Sequence, residues 1–197
     1  LVLLDIVPTL ELPGGGLGGS MQQFNATFLL DMFGNGGLTL HRLVAIPVNG
    51  ICQTGPRTPG ASLDGFSTEI LSLDGQILGD PDFDLLRISA GNYYGQPGPG
   101  HTTLVRQPSG EYLIDSFFDI TYRIDFVGAV GGSLGGASGS EVASARFQMG
   151  QELDAVACEA PDIGGTAAIP YSCLDGFVSP LGARVAIGGM PPGEPLL

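Results

Sequence analysis

From Phe118 onward the apolar residues take alternate positions, Phe118, Ile120, Tyr122, Ile124 and Phe126, and Asp119, Thr121, Arg123 and Asp125 fall between them. A period of two held this long is that of a β-strand with one face in a core and the other in water. Its aromatic and β-branched content agrees. A second alternation, Phe24, Ala26, Phe28 and Leu30, lies within Met21 to Phe33. Asn35-Gly36 is a tight-turn signal, and the apolar run Leu38 to Ile46 returns after it, which predicts a hairpin over Met21 to Ile46. Phe66 to Leu73, Leu85 to Ala90 and His101 to Arg106 read as further strands, joined by Pro- and Gly-rich loops such as Pro47 to Ser62. Val142 to Met149 alternates more weakly, a strand with a helix as the alternative. Phe177-Val178 and Ala183 to Ile187 are expected to close the sheet. With ten to twelve strands and no helix, the expected fold is all-β, a β-sandwich of jelly-roll or Ig-like layering.

The N-terminus has its own pattern. Leu1-Val2-Leu3-Leu4-Asp5-Ile6 is almost continuously apolar, Leu10-Glu11-Leu12 follows Pro8, and then come the glycines of 14–19. This is either the first strand of the domain's own sheet or a strand arm on a flexible tether. In the second case Leu1, Val2, Leu3, Leu4 and Ile6 would complete the sheet of a neighbouring copy. The division expected on that basis is an arm and linker over 1–19 and a domain over 20–197.

Composition narrows the function. Of 197 residues, 43% are hydrophobic and only 14% charged, with 33 Gly and 15 Pro. The glycines show no period of three, so a collagen helix is excluded. The net charge is −13, and all seven basic residues are Arg. A chain this acidic has no basic face for nucleic acid or for an anionic membrane surface. Without Lys there is no Schiff base and no phosphate loop built on a lysine. No run approaches the roughly 18 apolar residues of a membrane-spanning helix. The chain starts at Leu1 rather than Met, as a mature product would after loss of a signal peptide. The expected location is therefore extracellular or at a cell surface. Of the three cysteines, Cys158 and Cys173 enclose a Pro/Gly-rich loop and are expected to form a disulfide, worth about 3 kcal/mol for a loop of this size. Cys52 is the odd one out.

Few residues carry candidate chemistry. Asp80, Asp82 and Asp84 alternate in one loop and could offer oxygen ligands to Ca²⁺, with Asp74 in second place. The plainer view is a solvated acidic turn, since the glycine and terminal Glu of a calcium-binding helix–loop–helix are missing. Glu69, Asp115, Asp119 and Asp125 are the acids available for glycoside hydrolysis, but Trp is absent and aromatics for sugar stacking are sparse. His41 and His101 are the only histidines, and neither stands beside a nucleophile elbow. Tyr93-Tyr94, in an irregular loop, suits sugar stacking, a subunit contact or a cover for the core's edge.

Ser67-Thr68-Glu69-Ile70-Leu71-Ser72-Leu73, followed by Asp115-Ser116-Phe117-Phe118-Asp119-Ile120, resembles an ordered pair of segments shared by uncharacterised secreted proteins of planctomycetes and other environmental bacteria. The resemblance covers about a third of the chain and implies export and a β-rich extracellular domain; it assigns no role to any residue. The function expected from the sequence is a non-enzymatic, secreted structural subunit whose partners are copies of itself, assembled by strand donation into a filament or surface layer. The alternative is a monomeric carbohydrate-binding or adhesion module, with or without calcium.

Overall fold

A computed structural model describes residues 2–34, 40–108, 112–149, 176–178 and 185–187. Cys158, Cys173, Leu1 and the Asn35-Gly36 turn lie outside them. The described residues form ten strands: β1 Val2–Pro13, β2 Ser20–Gly34, β3 His41–Thr54, β4 Leu63–Leu78, β5 Phe83–Ala90, β6 Pro99–Arg106, β7 Tyr112–Gly128, β8 Ser138–Met149, β9 Gly176–Val178 and β10 Val185–Ile187. A single 3-10 turn, Asn92–Tyr94, interrupts the β-structure among them. The chain is all-β.

The strands pair in the order β1-β2-β3-β4-β5-β7-β8-β9, and β9 pairs in turn with β1, so the path returns to its start. The all-β expectation holds, and the pairings draw one sheet whose two ends are joined through β9. Between β4 and β7, β5 and β6 lie end to end. The first half of β4 pairs with β6 and the second half with β5, and β7 does the same from the other side. The 91–98 excursion that carries the 3-10 turn leaves the sheet between them. Rungs followed from Val7 through Asn25, Asn49, Asp74, Ser89 and Arg123 arrive at Val142 of β8. β9 instead ties Val2 to Gln148. The ends therefore meet with a stagger of about ten residues, the offset that a closing sheet of tilted strands requires.

Alternation decides what is buried. Phe24, Phe28, Leu30 and Met32 of β2, Val44, Ile46 and Val48 of β3 and Phe118 to Phe126 of β7 point inward. Phe28 packs against Tyr122 with centroids 6.3 Å apart and against Phe147 at 5.7 Å, joining β2, β7 and β8 across the interior. Fully burying one such ring stabilises the fold by about 1.5–3 kcal/mol.

Two stretches differ from expectation. Pro47 does not end its strand: the inward series continues through Val48, Gly50 and Cys52, and β3 runs to Thr54. A proline with its side chain on the outer face costs one rung donor and leaves the alternation intact. The N-terminus is a strand of this sheet, not an arm beside it. β1 pairs with β2 along its length, from Val2↔Leu29 to Pro13↔Ser20, with Leu3 and Ile6 buried. The pairing has two register shifts, between Leu4 and Val7 and between Pro8 and Leu10, and Asp5 has a positive φ of 52°. The glycines of 14–19 are a hairpin turn rather than a tether. Gly14 N–H bonds Gly19 O at 2.8 Å, and the Gln53 side-chain oxygen accepts from Gly16 N–H at 2.7 Å. A Cβ at Gly19 would fall 2.1 Å from the Gly55 oxygen, so glycine is required there.

Candidate binding groove

The outward positions of β2, β3, β4, β5 and β7 line an open groove of about 1080 Å³. Its floor is two adjacent rows of rungs. One reads Asn25, Asn49, Asp74, Ser89, Arg123; the other contains Gln76, Arg87 and Asp125. Because side chains alternate, the same backbone sends Ala26, Val48, Ile88 and Ile124 into the core. The polar floor is therefore a consequence of the strand period, and the core beneath holds it rigid.

The 91–98 excursion supplies one wall. Gly91, at φ 95°, lets the chain leave β5 so close to β4 that a Cβ would meet the Leu71 oxygen at 2.5 Å. Tyr94 N–H bonds Gly91 O at 3.0 Å to close the turn. Glu69 then anchors it: its carboxylate accepts from the Asn92 amide on one oxygen and from the Gln53 amide on the other. Burial first, and then Asp74, push the Tyr94 hydroxyl's pKa above the usual tyrosine value, so it stays a neutral donor.

The charges on the floor balance. Arg87 Nη2 donates to Asp125 Oδ2 at 3.0 Å and Arg123 Nε donates to Asp125 Oδ1 at 2.8 Å. Burial alone would raise the Asp125 pKa, but bonds from Ser140, Arg87 and Arg123 outweigh it and hold the carboxyl below its ordinary range. Both arginines are about half exposed and keep further N–H donors toward the groove. Asp74 and Asp125 offset Arg87 and Arg123, so the floor is polar and close to neutral although the chain is strongly acidic.

The sequence-predicted residues fall in three groups. Asp74 and Tyr94 come together in the groove, while Tyr93 is exposed (63%) beside it. Asp80 and Asp82 also come together, but around a cation of the protein's own. Arg42 Nη1 donates to Asp80 Oδ1 at 2.7 Å and to Asp82 Oδ2 at 2.8 Å, and Nη2 donates to Asp80 Oδ2 at 2.7 Å. Ser133 N–H adds a bond to Asp82 at 3.0 Å. That bond first, and then Arg42, draw the Asp82 pKa down to about 2. Asp84 is exposed and takes no part. Asp80 and Asp82 are thus a lock between β3, the β4–β5 turn and the β7–β8 loop. Among the described residues no group of three or more His, Cys, Asp or Glu is placed to hold a metal ion. The third group is Val2, Leu3, Leu4 and Ile6, which belong to β1. His41 is exposed and 3.3 Å from Asp31, and His101 is exposed on β6.

Pattern alone did not find Asn25, Asn49, Gln76, Arg87 or Arg123 as one site. No protein-family model, curated protein or solved structure matches the chain.

Proposed function

We propose that the chain is a carbohydrate-binding or adhesion module that holds a neutral, polyhydroxylated ligand in the groove outside β2, β3, β4, β5 and β7 of a small closed barrel. The observation that carries this reading is the composition of the floor. Amide, carboxylate, guanidinium and hydroxyl groups stand in rows on a rigid sheet, with an aromatic ring at the wall. Sugar hydroxyls both donate and accept, so they pair with such a mixed set; amides and Arg–carboxylate pairs offer both functions at fixed positions. Tyr94 adds a face for the apolar side of a pyranose. Two Asp and two Arg on one floor favour a neutral ligand over a polyanion, which the net charge of −13 repels further. The reading needs no calcium at Asp80 and Asp82, whose carboxylates are bonded to Arg42.

The test is a panel of immobilised neutral glycans probed with and without chelator. Binding that survives chelator and falls about 10–100-fold in Asp74→Ala supports the reading. Absence of binding across the panel, or binding that Asp74→Ala leaves unchanged, overturns it.

Self-assembly is a second reading, favoured by one observation: Val7, Leu10 and Leu12 of β1 are exposed apolar residues (56%, 44% and 47%). Strand donation would require β1 to exchange its rungs with β2 for equivalent rungs on another copy.

A further inference from the structure

The register of the sheet fixes the shape of the proposed ligand. Resting on the carbohydrate reading above, we infer that the groove takes an extended, unbranched stretch of about four sugar units lying across the strands, and that it accepts internal segments of a longer polymer. The first rung row is polar from Asn25 to Arg123 and is bounded by valines on both sides, Val7 on β1 and Val142 on β8, each 56% exposed. The polar run therefore covers five strands and stops. Four inter-strand spacings of about 4.8 Å make about 19 Å, the length of roughly four pyranose units of about 5 Å each.

Along the strands the same lining is only two rows wide. The next outward row on one side is apolar: Leu29 pairs with Ala45, and Leu78 with Leu85 and then Val127. On the other side Ser72, next to Asp74 on the outer face of β4, is already buried beneath the 91–98 excursion. Two rows are about 7 Å apart, the width of one sugar ring rather than a branched cluster. The long axis of the site therefore crosses the strands. Both of its ends open onto valines at the level of the sheet rather than onto a raised wall, so a polymer can pass beyond them.

The experiment is titration calorimetry of the full chain with cello-, xylo- and manno-oligosaccharides of one to six units. Affinity is expected to rise about tenfold or more from two units to four in at least one series, and to change by less than about twofold from four to six. Asn25→Ala and Arg123→Ala, exposed residues at the two ends, should each weaken the four-unit ligand about tenfold while leaving the two-unit ligand within about twofold; Asp74→Ala, at the centre, should weaken both. Circular dichroism shows that the variants are folded. Affinity already level at one or two units, or end variants that weaken the short ligand equally, overturns the inference while the carbohydrate reading stands. Wild-type protein that binds no member of any series overturns that reading as well.

Discussion

At the scale of single residues, a half-buried cluster of charges ties three segments of the chain together. Arg42 bridges Asp80 and Asp82, and Asp82 also receives Ser133 N–H. Burial alone would raise Asp80; Arg42 and the Asp82 N–H outweigh it and lower its pKa. These bonds hold the Asp82 pKa at about 2, below the ordinary aspartate value of 3.8. A depressed carboxylate stabilises the fold above its unfolded pKa, and that contribution is lost as the pH falls toward the folded value. Asp82→Asn is therefore expected to cost about 1–3 kcal/mol at neutral pH. The gap between wild type and variant should shrink between about pH 4 and pH 2. Thermal melts of both proteins across that range check it; a gap that stays constant would mean the Asp82 charge contributes nothing. Cys52 supports a second prediction. It is fully buried on the inner face of β3, so a thiol reagent should not reach Cys52 in the native protein. With the Cys158–Cys173 bridge expected from the sequence intact, denaturation should expose one thiol per chain; three would show that the bridge is absent.

At the scale of elements, the strands with strong alternation and the β2–β3 hairpin were legible, and the longer-range pairings were not. The Phe118 to Phe126 alternation marks the core of β7, and Met21 to Phe33 paired with the following run gives the β2–β3 hairpin. β3 was read too short because Pro47 looks like a terminus in one dimension, whereas in the sheet its ring faces outward. The groove was illegible for a related reason. Asn25, Asn49, Asp74, Ser89 and Arg123 are far apart in sequence and each is an ordinary outward residue; only the register makes them neighbours. In the same way Asp80 and Asp82 resembled cation ligands because Arg42, their partner, sits 38 and 40 residues away. At the N-terminus both options were visible, and β1 pairs at home. Deleting residues 1–13 separates the consequences. As an integral strand, β1 takes with it the rungs to β2 and the burial of Leu3 and Ile6, so the cooperative melt should be lost. A shortened chain that still melts cooperatively, but no longer forms polymers that the full chain forms in electron micrographs, would instead establish strand donation.

At the scale of the whole molecule, the groove and the seam use different strands. The groove uses β2, β3, β4, β5 and β7. The ring is completed by three-residue β9, which pairs with Val2 to Leu4 on one side and with Gln148 and Met149 on the other, while β10 pairs with the end of β2. Such a short closing strand holds few hydrogen bonds, but it keeps the sheet curled over Phe28, Tyr122 and Phe147. Without it β8 has no partner beyond β7, and an open edge beside an apolar interior admits water. A chain ending at Met149 is therefore expected to melt about 10 °C or more below the full chain, and to bind a hydrophobic dye that the full chain excludes. The floor residues and the Glu69 anchor of their wall all precede that end point. At temperatures where the truncated chain is folded, its affinity for a ligand of the groove should stay within about twofold of the full chain's. Equal melting temperatures would show that closure through β9 contributes nothing to stability. A large loss of affinity with the fold intact would show that the shape of the groove depends on the ring being closed, and that groove and seam act as one mechanical unit.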